Sequence, residues 1–175
     1  VSLPSRVFPD SEFVRVLLAR KTHRQFLRKT LPLETISALL SLVWGVSGYL
    51  STPRFGKLLH KTSPSAGARH PIEVYLMALR VEGLRPGLYH YHPVHDNLEV
   101  VSQNATPRKA WQYCAGQNFT KHAAALFLMT AVFERTMWKY HLARAYRVVL
   151  LDAGHLCQTF CLVATWLNLA PFCTA

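Results

Sequence analysis

Three observations predict a single α+β domain. A helical apolar pattern opens the chain, three short strands with turn residues between them fill its middle, and a long apolar helix closes it. The expected architecture is a mainly antiparallel sheet flanked by helices around a long central helix. The 175 residues suffice for one domain with a sizeable core. Half are hydrophobic and only 17% are charged, which excludes a disordered chain.

Residues 11–20 read as the first helix, with Ser11 as N-cap and Phe13, Val14, Leu17 and Leu18 on one side. Residues 32–50 read as the second: Ile36, Leu39, Leu40, Val43 and Trp44 keep helical spacing, and Gly45 and Gly48 loosen its end. Ser, Pro, Gly and basic side chains mark 51–71 as a long functional loop. Strands follow at 73–81, 88–92 and 98–102, separated by turns. Pro107 starts a short helix to Cys114, and 124–133 fits a buried strand, although its periodicity also permits a helix. Residues 134–146 and 148–168 read as helices, the second apolar enough for a core.

The net charge of +11 suits a basic solvated surface or attraction for anions, such as a flavin phosphate or an acidic peptide. No stripe of aromatic residues interleaved with basic ones points to nucleic acid. The apolar runs at 123–133 and 161–173 are interrupted and fall short of the roughly 18 residues of a membrane span. The first ten residues show no signal-peptide pattern. Four cysteines with no CxxC pair indicate a reducing, cytoplasmic setting, with Cys157 and Cys161 as small apolar fillers. The chain has no initiator Met, and it stops at Pro171-Phe172-Cys173-Thr174-Ala175 without a polar tail. Residues 1–175 are therefore expected to be one domain lacking its C-terminal segment.

Five groups of residues could carry chemistry. Arg20, Thr22 and Arg24 alternate, so on an extended segment they point one way, and two guanidinium forks around a hydroxyl suit a phosphate. They could equally be a basic helix end that complements the dipole. Ser65, Ala66 and Gly67 let backbone N–H groups approach a planar ligand, or form an ordinary turn. His90, His92 and His95 lack further ligands at metal spacing, apart from Asp96, and read as hairpin residues. Lys139 and Tyr140 are adjacent on the expected helix, with Arg135 one turn before Lys139 on the same face. Nearby cations disfavour a charged amine, as a general base needs; the alternative is a basic amphipathic helix. Asp152 and His155 share a helix face, as a structural ion pair or around Gly154, where a flavin could approach.

Read in order, these residues resemble the azoline (thiazoline/oxazoline) dehydrogenase branch, often called SagB-type, of the flavin-dependent nitroreductase superfamily. Arg20-Lys21-Thr22-His23-Arg24-Gln25-Phe26 resembles its flavin-phosphate motif, with Thr22 in place of the commoner Ser. Pro64-Ser65-Ala66-Gly67-Ala68, then His70-Pro71-Ile72-Glu73-Val74-Tyr75, resembles its Pro-Ser-x-Gly loop and following strand. Gly87-Leu88-Tyr89-His90-Tyr91 is similar to its hairpin. Lys139-Tyr140 resembles the pair that separates this branch from general nitroreductases, and Asp152-Ala153-Gly154-His155 the helix after it.

The resemblance implies a nitroreductase-like fold, FMN, and a homodimer with two flavin sites at its interface. It assigns flavin contacts to Arg20, Thr22, Arg24, Ser65, Ala66 and Gly67, and catalysis to Lys139 and Tyr140. The implied reaction removes a proton and a hydride from a thiazoline or oxazoline in a peptide or a carrier-tethered chain. A cyclodehydratase or synthase partner would make that ring. Two other readings stand beside it: a general NAD(P)H-dependent nitro or quinone reductase, and a non-catalytic subunit that binds a peptide or partner enzyme.

Overall fold

A computed structural model describes residues 2–5 and 7–174. Helix α1, Glu12–Ala19, starts as the sequence indicates, with the Ser11 hydroxyl accepting the Val14 N–H at 3.3 Å. Helix α2, Leu33–Val43, buries Ile36, Leu39, Leu40 and Val43, each worth about 1.5–3 kcal/mol.

The helix expected over 32–50 stops early. At Gly45 the backbone turns so tightly that a Cβ would lie 2.4 Å from the Ser41 carbonyl oxygen. The chain then enters strand β1, Gly48–Thr52, which pairs antiparallel with β2, Gly56–His60. The long loop expected over 51–71 is therefore half hairpin; a short 3-10 turn at Ala66–Ala68 follows.

Strands β3 (Ile72–Ala78), β4 (Gly87–His92) and β5 (Asn97–Ser102) match the three expected in the middle of the chain. Helix α3, Pro107–Tyr113, is capped by the Thr106 hydroxyl on the Lys109 N–H. Strand β6, Ala125–Ala131, completes an antiparallel sheet of order β5-β4-β3-β6. Strand β3 lies inside it and is apolar almost throughout, as a strand covered on both faces must be.

A second expectation fails between the last strand and the last helix. Only Phe133–Met137 forms helix α4; Trp138 and Lys139 lie in a turn, closed by the Tyr140 N–H on the Thr136 carbonyl at 3.0 Å. Lys139 and Tyr140 are thus loop residues, not neighbours on a helix. Helix α5, Ala145–Trp166, has the length and the mean hydropathy of 1.5 of a membrane-crossing helix. Here it packs against α1, α2, α4 and β3. Trp44, Val74, Leu76, Val149 and Leu156 join α2, β3 and α5 in the main core. One side of α5 remains uncovered, with Leu151 62% exposed.

Candidate active site

The 65–67 loop is fixed from beneath by α5. The Ser65 hydroxyl donates to Asp152 Oδ2 at 2.6 Å and accepts the His70 N–H at 2.9 Å, while the Ala66 N–H reaches Asp152 Oδ1 at 3.4 Å. Asp152 is buried, so this contact aligns the loop with the helix. The sequence reading paired Asp152 with His155; the structure instead gives it a partner 87 residues away and leaves His155 exposed. Nothing lies within 4 Å of a Cβ built on Gly154, so the space expected there is open.

Gly67 adopts φ +62, in the left-handed region that glycine enters without strain. A methyl group built on it would lie 2.7 Å from both Cδ and Nζ of Lys139, and 3.0 Å from the Tyr140 hydroxyl. The small-residue loop and the Lys-Tyr pair, more than 70 positions apart in sequence, form one surface. Arg135, expected on the same face as Lys139, turns away: its guanidinium pairs with Glu73 and donates to the His70 carbonyl at 3.1 Å.

An aromatic group beside Lys139 has no counterpart in the sequence reading. Phe55, between β1 and β2, meets the Trp138 ring edge-on at 5.8 Å. Lys139 Nζ lies 5.1 Å from the Phe55 centroid and 5.7 Å from that of Tyr140. Arg69 lies 5.1 Å over Trp138 and donates to the Gly67 carbonyl at 2.9 Å. The rings offer the amine a cation–π environment, and no acid among the described residues pairs with it. Hairpin and loop are assembled only by folding, so no local signal marked Phe55, Arg69 or Trp138.

Arg20, Thr22 and Arg24 lie elsewhere on the same chain. Their segment is held at the far end of α5 by the His23 N–H on the Pro171 carbonyl at 3.0 Å, and Arg24 lies 5.9 Å over Phe172. Arg20 acts electrostatically on Cys161, nine residues along α5 from Asp152; that separation is about 14 Å along the axis. Among the described residues neither Arg20 nor Arg24 has an acidic partner. Cys161 and Cys173 lie 3.5 Å apart, sulfur to sulfur. The hydrogen bond from Cys173 lowers Cys161 to about 7, so Cys161, expected with Cys157 to be a small apolar filler, makes a polar contact.

The hairpin histidines have other partners. His90 bonds Glu73 at 2.8 Å and lies tilted against the Tyr75 ring at 4.9 Å, and His92 stacks on His95 at 4.3 Å. Burial opposes ionisation of Glu73, but hydrogen bonds from His90 and Arg135 outweigh it and hold the carboxyl below its usual range. No group of three metal-binding side chains occurs among the described residues.

Residues 17–174 match the family model described as "Nitroreductase family". The trifolitoxin-processing protein TfxB of Rhizobium leguminosarum bv. trifolii is 34% identical over 79% of the chain. The microcin B17-processing protein McbC of Escherichia coli is 31% identical over 81% of it. The chain spans only 38% of TfxB and 51% of McbC. A nitroreductase-type protein of Anabaena variabilis superposes with a TM-score of 0.74 at 26% identity, covering 90% of this chain and 31% of that one. A chain of the E. coli microcin synthetase McbBCD complex, solved with truncated pro-MccB17 bound, superposes with a TM-score of 0.63 at 27% identity, covering 94% and 61%. TfxB and McbC support the branch to which Lys139-Tyr140 pointed. A match over nearly the whole length, on a fold shared with solved relatives, makes this chain a member of the nitroreductase family.

Proposed function

We propose that the chain is the catalytic domain of an FMN-dependent azoline dehydrogenase that converts peptide thiazolines or oxazolines to thiazoles or oxazoles. The observation that carries this reading is the packing of Lys139 and Tyr140 over Gly67. It sets a basic amine and a phenol beside a loop that a planar ligand can approach. Relatives that process peptide toxins support a peptide substrate, and the McbBCD complex supports a cyclodehydratase or synthase partner. A carrier-tethered substrate and a cytoplasmic setting belong to the same proposal.

The residues fit FMN. Ser65, Ala66 and Gly67 present small side chains and a left-handed backbone, and Gly154 adjoins open space, as a flat ring system needs. Arg20 and Arg24, without acidic partners among the described residues, and Thr22 suit its phosphate. When bound, FMN supplies the hydride acceptor. The Lys139 amine, unpaired among the described residues and held among the Phe55 and Tyr140 rings, takes the carbon-bound proton, and Tyr140 orients the ring beside it. Asp152 keeps the loop in register through Ser65.

The separation of the arginines from the loop along α5 is compatible with a homodimer. Each flavin would take its phosphate contacts from one subunit and its loop contacts from the other. The uncovered side of α5 and the exposed Phe13 and Leu18 of α1 are the apolar surface such a dimer would bury. Full-length protein should be yellow, dimeric by light scattering, and release FMN on denaturation. Release of FAD, or a stable flavin-loaded monomer, would overturn the assignment. Rapid NAD(P)H consumption with nitro or quinone acceptors would favour a general reductase, and a protein colourless after FMN addition a binding subunit.

A further inference from the structure

A cavity of about 450 Å³ adjoins the proposed site. Ala68, Arg69 and His70 in its wall continue directly from Gly67, which packs on Lys139. The rest of the wall carries Lys61, Glu73 and Arg135, with Trp44 and Tyr91 among its aromatic rings. Its charges do not balance internally. The Glu73 carboxylate is already taken by Arg135 and His90. Arg69 is committed to the Gly67 carbonyl and the Trp138 ring. The Lys61 amine makes no hydrogen bond or ion pair among the described residues. Burial lowers it to about 8, Glu73 raising it and Arg135 adding to the depression.

Among the described residues, the cavity therefore holds one uncommitted cation. An unpaired amine in such a place is costly, and a ligand that brings an acceptor oxygen relieves the cost. One free positive charge matches one negative charge. A phosphate would call on the guanidinium forks, which are already engaged.

We propose that this cavity is a carboxylate subsite, filled by an acidic side chain of the peptide substrate close to the ring to be oxidised. The identity of the occupant rests on the peptide-oxidising function above, whereas the carboxylate chemistry rests on the cavity alone. The subsite would select substrate chains by an aspartate or glutamate near the ring and would draw them toward a protein of net charge +11.

Competitive acetylation of Lys61, read by peptide mass spectrometry on the flavin-loaded protein, tests this without requiring turnover. The probes are short azoline peptides with one Asp stepped through the three positions on either side of the ring, their Asn counterparts, and free succinate. At least one Asp peptide should slow Lys61 labelling about tenfold or more, the worth of a charge-assisted hydrogen bond, while its Asn counterpart leaves it unchanged. Lys61→Met should bind that Asp peptide about tenfold more weakly, and Lys61→Arg should retain it. Protection by succinate alone would assign the site to a free carboxylate and overturn the peptide as occupant. No protection by any of the acids at millimolar concentration would overturn the subsite altogether. Protection in a protein that oxidises none of the peptides would leave the subsite standing and remove the dehydrogenase reading. Oxidation with equal labelling under Asp and Asn peptides would do the reverse.

Discussion

Gly67→Ala separates the role of the loop from that of the fold. The new methyl group would sit 2.7 Å from Cδ and Nζ of Lys139, where ordinary carbon contacts begin near about 3.5 Å. The lysine tip must retreat by almost an ångström. That movement costs little stability, because the obstructed atoms are the far end of a flexible side chain. The backbone cost is separate: alanine at φ +62 loses about 1–2 kcal/mol. For a chain of this size each kcal/mol lowers Tm by about 2–4 °C, so a fall of about 2–8 °C is expected. The catalytic cost is larger, since an ångström of misplacement of a reacting group can cost about 10²-fold. Turnover is to be followed as azole absorbance at saturating FMN, which discounts any weakened flavin binding. Because the substitution acts through Lys139, Gly67→Ala/Lys139→Ala should be little slower than Lys139→Ala alone. A folded Gly67→Ala protein with the wild-type rate would refute the contact as a determinant of catalysis. So would strict additivity of the two substitutions.

Three further outcomes follow from the same geometry. Asp152→Asn removes the charge that accepts from Ser65 and Ala66 and should cost about 1.5–3 kcal/mol, with a matching rise in proteolytic cleavage near residue 66. Arg20→Ala should lose FMN before it loses folded structure, read as flavin content after gel filtration; full flavin content would remove Arg20 from the phosphate site. Urea midpoints should fall in acid, because Glu73 is held below its unfolded value of 4.5; its contribution is complete above that value and is lost as pH drops through the folded one. Lys61 acts in the same sense, in an alkaline window. Its amine is depressed from 10.5 to about 8, so the unfolded chain binds more protons between those values and its contribution to stability rises with pH across them. Glu73→Gln should flatten the acid limb, and Lys61→Met the alkaline one.

Much of the fold was legible locally. Ser11 and Thr106 mark helix starts, β4 has alternating polarity, and the long apolar helix α5 fills the core it was expected to fill. The misreadings have two causes. Helix propensity over 32–50 was overridden by a local turn and hairpin pairing, and over 134–146 by tertiary packing. Gly45 presses against Ser41 and lets 48–52 become a strand, and Trp138 and Lys139 leave the helix to meet Phe55, Arg69 and Gly67. Of the site, the residue types at 65–67 and 139–140 were readable, but not the partners that place them. Asp152 had a nearer candidate in His155, and nothing in sequence ties it to Ser65. The separation of Arg20 and Arg24 from the 65–67 loop along α5 was likewise invisible until the helix had a direction.

The central claim is that Lys139, set over the Gly67 loop, removes a proton from an azoline ring. The most direct measurement is the single-turnover rate of azole formation by flavin-loaded wild type and by flavin-loaded Lys139→Ala. The account predicts that the substitution slows that step by about 10²–10⁴-fold, the usual worth of a general base, with FMN content and thermal stability unchanged. A flavin-replete Lys139→Ala protein that forms azole at near the wild-type rate would contradict it.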